Sequence, residues 1–247
     1  GWRVAFGVGA VAALLVMWLR RGMDESESFK NQERTPDQGT LKLLFQYPRE
    51  ILTVIGLTMG GTVAFYTYTT YLQKFMVNTS HIDKVSVTWV NFIALVVFMG
   101  IQPLYGKLSD RIGRRPLLLF FGIGGTLVTV PLLTILANTR NPVIAFLLMM
   151  IALSIVSGYT SINAIVKAEL FPTKIRALGV GLPYGVAVAV FGGTAEYIAL
   201  GLKQAGVEQL FYWYVSACAL VSLVVYWRMG ETSSTSELNH EGAARRG

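Results

Sequence analysis

A short charged connection, GKLSDRIGRRP at residues 106–116, separates two long apolar runs of the chain. Asp110 lies where its carboxylate can meet a helix N-terminus or a neighbouring arginine. The arginines of the connection, Arg111, Arg114 and Arg115, offer guanidinium groups that bind carboxylates or contact lipid headgroups. The connection therefore predicts ion pairs and fixed positive charge beside a membrane surface.

The backbone of the same connection contains residues that end and begin helices. Gly106 is expected to end one helix and to allow another helix to approach closely. Gly113 is expected to permit a sharp reversal of the chain. Pro116 is expected to begin the next helix, where its missing N–H group costs little. A basic loop without structure would account for the arginines only.

A second charged connection, KAELFPTKIRALGVG at residues 167–181, contains the pattern E-x-x-P-x-x-x-R. Glu169 supplies the carboxylate of this pattern and Arg176 supplies the guanidinium group. Apolar runs flank this segment on both sides, as they flank residues 106–116. Both connections are therefore expected at the ends of membrane-spanning helices.

Polar groups inside the apolar runs are the remaining candidates for chemistry, because such groups are costly in a bilayer. Glu196, in FGGTAEYIAL, is a candidate to carry a coupled proton, or else to form a polar helix contact or reach interfacial water. Tyr66 and Tyr68 belong to the polar run FYTYTTY, which either lines a hydrated cavity or forms part of an interfacial aromatic belt. Asn163 is a weaker cavity candidate.

The composition places the chain among helical membrane proteins. Of its 247 residues, 53% are hydrophobic and only 14% are charged, whereas a soluble domain has about 25% charged residues. The apolar residues occur in runs of roughly 20, the length that crosses a bilayer as a helix. The single cysteine, Cys218, excludes a disulfide framework, and two scattered histidines exclude a zinc site, so no metal is expected.

The apolar runs predict seven membrane spans and one long polar linker. The linker runs from Arg20 to Glu50 and is broken by Pro36 and Gly39. Its last part, Leu41 to Tyr47, is expected to form a short surface helix. The spans are expected at about 4–19, 51–73, 87–105, 117–137, 143–165, 178–200 and 210–228.

The basic residues predict the orientation of these spans. Of the 21 lysines and arginines, sixteen fall in the connections on one side of the membrane, and Lys167 is among them. The other side has only Arg3, Lys74, Lys84, Arg140 and Lys203. This positive-inside asymmetry predicts that residues 106–116 and the C-terminal tail are cytoplasmic. An odd number of spans with an external N-terminus is expected if five further spans precede the first one.

The pattern G-x-L-x-D-x-x-G-R-R at residues 106–115 resembles the signature loop of the major facilitator superfamily. The stretches FYTYTTYLQKFMVNTS, IVSGYTSINAIVKAELFPTKIRALGVG and FYWYVSA resemble its metabolite:proton symporters, in the 2-oxoglutarate (α-ketoglutarate) permease branch. The resemblance implies an all-α membrane protein, the C-terminal part of a twelve-helix transporter. Its parts would be residues 1–19 as helix six, 20–50 as the central cytoplasmic loop, 51–228 as the second six-helix bundle, and 229–247 as a cytoplasmic tail.

The resemblance also implies a function and roles for residues. The family transports small metabolites with protons and without a cofactor, here 2-oxoglutarate across a bacterial inner membrane, and nucleic acid is not a partner. A fragment that lacks the first half is expected to be inactive alone. Arg3 is a candidate to bind a dicarboxylate through its guanidinium group, although it would equally anchor a helix at the interface. In the family, residues equivalent to Asp110, Arg111, Arg114, Glu169 and Arg176 form ion pairs that close the cytoplasmic side.

Several other functions stay open on the sequence. A symporter of the same family for proline or betaine, citrate or shikimate would share these features, and so would an efflux antiporter of the same fold. A membrane enzyme is disfavoured, because no metal or nucleophile constellation is present. A seven-helix receptor would match the number of spans, but the signature loop and the long polar linker oppose it.

Overall fold

A computed structural model describes residues 2–21 and 39–232 of the chain. The chain divides into two units, Gly1–Pro36 and Asp37–Gly247. In the first unit the described part is one helix, α1 (Trp2–Arg21), which ends in Arg20 and Arg21 and occupies the first predicted span. The larger part of the predicted linker, residues 22–38, lies outside the described residues.

The described residues of the second unit form helices joined by short connections. The short helix expected before the second span is α2, which is capped by Thr40 and buries Leu43 and Leu44. The elements are α2 (Leu41–Leu44), α3 (Pro48–Tyr66), a π-helical turn (Thr67–Tyr71), α4 (Leu72–Asn78), α5 (Lys84–Ile112), α6 (Arg114–Ala137), α7 (Pro142–Thr160), α8 (Asn163–Glu169), α9 (Arg176–Ala187), a second π-helical turn (Val188–Gly192), α10 (Gly193–Gln204) and α11 (Gln209–Arg228).

Six helical segments of this unit are long and apolar enough to cross a membrane. They are Pro48–Asn78, Lys84–Ile112, Arg114–Ala137, Pro142–Glu169, Arg176–Gln204 and Gln209–Arg228. They match the six later predicted spans in order, and no strand occurs among the described residues. The expected fold class, an all-α membrane protein, is therefore confirmed.

Helix α11 lies at the centre of the packing, with its most extensive contacts to α6 and α3. Helix α7 packs against α5 and α6, and α9 packs against α3. The buried core includes Leu57, Phe121 and Val156. Large apolar side chains such as Phe92 and Trp213 are exposed, as expected for helices that face lipid.

Several helices begin where a side chain or a proline accommodates the unpaired N–H groups of the first turn. Before α5, Asp83 Oδ1 accepts hydrogen bonds from the N–H groups of Val85 (2.9 Å) and Ser86 (3.0 Å). A hydrogen bond from the Ser86 side chain, together with these two backbone hydrogen bonds, holds the pKa of Asp83 below its ordinary value. Pro48 and Pro142 occupy the first positions of α3 and α7, where a missing N–H group is tolerated.

Two of the six spans contain a π-helical turn, and threonine hydroxyl groups accompany both turns. Thr67 and Thr69 donate hydrogen bonds to carbonyl oxygens four residues earlier, at 2.7 Å and 2.6 Å. Thr194 bonds in the same way to Val190, at 2.5 Å. Such bonds compete with the regular helix ladder, and π-helical turns are frequent at functional sites.

Candidate functional site

The connection between α5 and α6 is a single residue, Gly113, which has φ +95°. The expectation that Gly113 reverses the chain agrees with this conformation, which side chains with a Cβ rarely adopt. Two other expectations were wrong. Helix α5 continues through Gly106 to Ile112, and no atom lies within 4 Å of a Cβ built on Gly106. Helix α6 begins at Arg114, so Pro116 stands within its first turn rather than at its start.

Replacing Gly113 with alanine is expected to destabilise the complete protein by about 1–2 kcal/mol, because the positive φ strains any residue with a Cβ. The new Cβ would also lie 2.6 Å from Glu231 Oε2. The thermal unfolding midpoint of the purified protein measures the effect. Gly106→Ala is the matched variant and should leave the midpoint unchanged or raise it, since Gly106 is helical and open. Equal losses from both changes would contradict this interpretation.

Arg114 is the centre of a charged cluster at this end of the bundle, which we call the signature-loop end. Its Nη1 lies 2.7 Å from Asp110 Oδ1 and 2.8 Å from Ser109 Oγ. Its Nε lies 3.6 Å from Oε1 of Glu169, an ion-pair distance rather than a hydrogen bond. The side chains of Arg114 and Glu169 are only 12% and 3% exposed, whereas that of Asp110 is 68% exposed. The Arg114–Glu169 pair is thus the buried part of the cluster.

Among the described residues, no other arginine forms an ion pair with Asp110 or Glu169. Arg111 is exposed and takes part in none of the ion pairs among the described residues. Arg176 Nε donates to the carbonyl oxygen of Phe171 at 3.2 Å, so its contact with the signature loop stays a prediction. Arg115 Nη2 donates to the carbonyl oxygen of Trp227 at 2.8 Å. Arg114 therefore forms the ion pair with Glu169, for which the sequence offered several arginines.

Two residues after α11 complete the cluster, and the sequence did not reveal them. The carboxylate of Glu231 accepts the backbone N–H groups of Arg114 (2.9 Å) and Arg115 (3.1 Å), as favoured at a helix N-terminus. The hydroxyl of Thr232 donates to Glu169 Oε2 at 2.5 Å. A cavity of about 1050 Å³ borders the cluster and is lined partly by Glu169 and Glu231. The signature loop, α8 and the start of the tail thus form one network.

Lys167 was assigned to the cytoplasmic loop from its sequence position, and this was wrong. It lies on α8 and is 1% exposed. Its Nζ donates to Asn163 Oδ1 at 2.9 Å and lies 3.6 Å from the ring centroid of Tyr184. Helix α8 continues to Glu169, beyond the predicted end of the span at residue 165. Lys167 is therefore part of a packed helix and not of a loop. The positive-inside asymmetry survives without it.

Glu196 lies at the opposite end of the bundle and forms an ion pair with Lys74. The side chains are 34% and 51% exposed respectively, so water reaches both. Another helix approaches this span closely at Gly192, where a Cβ would lie 2.6 Å from Thr62 Cγ2, but not at Gly193, where no atom lies within 4 Å of a Cβ.

A second cluster at this opposite end was also missed and is centred on Glu208. Its Oε1 accepts hydrogen bonds from Tyr71 Oη (3.2 Å) and Thr79 Oγ1 (2.8 Å), and it lies 3.5 Å from Lys203 Nζ. Lys203 also bonds to Thr79. Tyr71, the last residue of the polar run FYTYTTY, is buried. The cluster connects α4 with the connection between α10 and α11.

Of the remaining candidates, Tyr66, Tyr68 and Asn163 belong to the second unit and Arg3 belongs to the first. Tyr66 is partly exposed, while Tyr68 is buried with its hydroxyl 2.6 Å from Thr129 Oγ1. Tyr66 is the last residue before the π-helical turn that begins at Thr67, and Tyr68 lies within that turn. Asn163 contacts Lys167, and Arg3 lies exposed on α1 in the other unit. No group of three or more potential metal-ligating residues occurs among the described residues.

Comparisons with known proteins identify the family. The chain matches the model of the Major Facilitator Superfamily over residues 1–194 and 54–245. It is 49% identical over 225 residues to the alpha-ketoglutarate permease of Escherichia coli (strain K12), a match covering 91% of this chain and 52% of that protein. It is 24% identical over 247 residues to the proline/betaine transporter of the same strain, covering 95% and 49%.

A third relative is the citrate-proton symporter of Salmonella typhi, 26% identical over 228 residues, with 90% of this chain and 52% of that protein covered. The chain thus spans about half the length of these curated relatives. No solved structure matches it. The six spans and the signature connection agree with the family match. The chain belongs to the major facilitator superfamily.

Proposed function

We propose that the complete protein is a secondary active transporter that takes up 2-oxoglutarate together with protons. One observation carries this proposal: the 49% identity to the alpha-ketoglutarate permease over 91% of the chain. The proline/betaine and citrate relatives share only 24% and 26%. The chain would supply helix six (1–19), the central loop (20–50), the second bundle (51–228) and the tail (229–247). The other helices are needed for activity, because substrate sites in such folds lie between the two halves.

The cluster around Arg114 is the proposed gate of this transporter. Gly106, Asp110, Arg111, Gly113 and Arg115 belong to the same signature loop, and Arg176 belongs to the facing connection. In the outward-open state, the ion pairs of Arg114 with Asp110 and Glu169 would hold the cytoplasmic side shut. Inward opening would separate α6 from α8 and break the buried pair, so that the cluster has two discrete arrangements.

The proposed setting is the inner membrane of a bacterium, with residues 106–116 and the C-terminus in the cytoplasm. The distribution of lysine and arginine supports this orientation. The proton gradient supplies the energy, and the proposal includes no cofactor, no nucleic acid and no enzymatic reaction. The substrate is a small dicarboxylate.

The proposal is tested by uptake of radiolabelled 2-oxoglutarate into proteoliposomes that contain the complete protein, with and without an inward pH gradient. We expect gradient-stimulated uptake that unlabelled 2-oxoglutarate inhibits and that proline, betaine and shikimate do not. Citrate-selective or proline-selective uptake would assign the protein to another substrate of the family. Export driven by an inward proton gradient would show an antiporter of the same fold.

Glu196 is the carboxyl group that we propose for proton coupling. It pairs with Lys74 across two spans, just beyond the π-helical turn of each. Glu196→Gln is expected to abolish pH-driven uptake while 2-oxoglutarate exchange continues. Because the pair is largely exposed, the unfolding free energy should change by less than about 1 kcal/mol.

Lys74→Gln is the companion variant, since it breaks the same ion pair and keeps the carboxyl group. Its pH-driven uptake is expected to persist. Unchanged pH-driven uptake in Glu196→Gln would remove Glu196 from the coupling mechanism.

A further inference from the structure

Lys167 is a buried cation without a carboxylate partner among the described residues. It is 1% exposed, and its Nζ donates a hydrogen bond to Asn163 Oδ1 at 2.9 Å. The hydroxyl oxygen of Tyr159 lies at 3.5 Å, at the limit of hydrogen bonding. The ion pairs of the described residues involve Lys74, Arg114 and Lys203 but not Lys167.

The surroundings of this ammonium group compensate its charge only in part. An ammonium group has three hydrogen-bond donors, and here one acceptor lies at a good distance. The ring of Tyr184 lies 3.6 Å from Nζ and that of Tyr159 lies 5.7 Å away. A cation–π contact contributes about 0.5–2 kcal/mol, which is less than the several kcal/mol that desolvation of an ion costs. Buried cations are normally paired with an anion, so the site favours one.

The position of Lys167 suits a substrate site that opens and closes. The span Pro142–Glu169 is interrupted between α7 and α8, at Ser161 and Ile162, and binding sites in transporters are typically formed at such discontinuous helices. Tyr184, which lies over Nζ, is itself 39% exposed. A movement of this one side chain on α9 would therefore expose the ammonium group.

We propose that Lys167, with Asn163, Tyr159 and Tyr184, binds a carboxylate group of the transported substrate. This inference rests on the proposed uptake of 2-oxoglutarate and names the residue of this half that would neutralise a substrate charge. The ammonium group pairs with the carboxylate, and the Tyr159 hydroxyl can donate a hydrogen bond to it. Asn163 Nδ2 already donates to the carbonyl oxygen of Thr160 at 2.9 Å, which leaves its second hydrogen for the carboxylate. The zwitterions proline and betaine carry a cationic group as well, which this site would disfavour.

The same short helix connects this site with the proposed gate. Helix α8 carries Lys167 and, two residues later, Glu169, which pairs with Arg114 and accepts a hydrogen bond from Thr232. An anion that displaces Tyr184 and pairs with Lys167 would therefore act on the same short helix that holds Glu169. Substrate binding thus has a direct mechanical route to the buried ion pair of the gate.

The test uses the purified complete protein and three variants: Lys167→Met, Lys167→Arg and the control Lys174→Gln, whose lysine is exposed on the neighbouring connection. Isothermal titration measures the Kd for 2-oxoglutarate, and thermal unfolding without ligand measures stability. Methionine is unbranched, resembles the aliphatic part of lysine and removes the charge. We expect Lys167→Met to weaken binding about thirtyfold or more, Lys167→Arg to recover part of it, and Lys174→Gln to stay within about twofold.

The two measurements separate the possible outcomes. Loss of 2-oxoglutarate binding in Lys167→Met with an unchanged or raised unfolding midpoint supports the proposal. An unchanged Kd overturns it, whether or not the midpoint falls, and leaves the proposed transport function standing. If the unaltered protein binds succinate or citrate but not 2-oxoglutarate, and binding depends on Lys167, the proposed substrate fails while the carboxylate site stands.

Discussion

Replacing Arg114 with glutamine in the complete protein should lower the initial rate of 2-oxoglutarate uptake at least about tenfold. Arg114 makes the buried contact of the signature-loop end, with Glu169 only 3% exposed beside it. Removing one partner of a buried pair leaves the other charge uncompensated, at a cost of about 3 kcal/mol or more. If that cost falls on the state in which the gate is closed, the population of this state drops by about a hundredfold relative to the open one.

The double variant Arg114→Gln/Glu169→Gln distinguishes a gate from a merely stabilising contact. Removing both charges relieves the uncompensated carboxylate, so the unfolding midpoint should recover towards that of the unaltered protein, whereas transport should stay low. The control is Arg140→Gln, since Arg140 is exposed at the opposite end of the bundle. Uptake in Arg114→Gln equal to that of Arg140→Gln would refute the gate, and so would recovery of transport in the double variant.

The spans and the reversal at Gly113 could be predicted from the sequence because they depend on local properties. Apolar runs of about 20 residues have few alternatives to a membrane helix, and the six later spans follow the predicted order. A glycine among charged residues between two such runs indicates a tight turn, and Gly113 has the required positive φ. The exact helix ends were less predictable, since α5 continues through Gly106 and α6 begins before Pro116.

The partners within the charged clusters could not be predicted, because they depend on how distant helices pack. Arg111, Arg114 and Arg115 are alike in the sequence, yet only the side chain of Arg114 reaches Glu169. Glu231 caps α6 from 117 residues away, and nothing in its local sequence distinguishes it from other acidic residues of the tail. The burial of Lys167 could not be predicted either, because a lysine near the end of a span is equally compatible with a loop and with a buried site.

Replacing Gly60 with leucine should prevent the complete protein from folding into a monodisperse form. A Cβ at Gly60 would lie 2.5 Å from the carbonyl oxygen of Cys218 and 2.8 Å from Ala219 Cα, both backbone atoms of α11. The Gly60 N–H group also donates to Ser222 Oγ at 2.9 Å. A larger side chain must therefore separate α3 from α11, one of the most extensive contacts in the bundle, with a cost above the usual 1–3 kcal/mol of overpacking.

The sequence alone does not show which glycines lie at a close contact between helices. Gly56 and Gly60 share the spacing of Gly181 and Gly185, which favours close helix packing, yet a Cβ at either of the latter two meets no atom within 4 Å. The control is Gly100→Leu, at an exposed and equally open position of α5. In size-exclusion profiles and unfolding midpoints, Gly100→Leu should resemble the unaltered protein and Gly60→Leu should be strongly impaired. Gly60→Ala should fall between them. A stable, monodisperse Gly60→Leu protein would mean that α3 and α11 do not pack this closely.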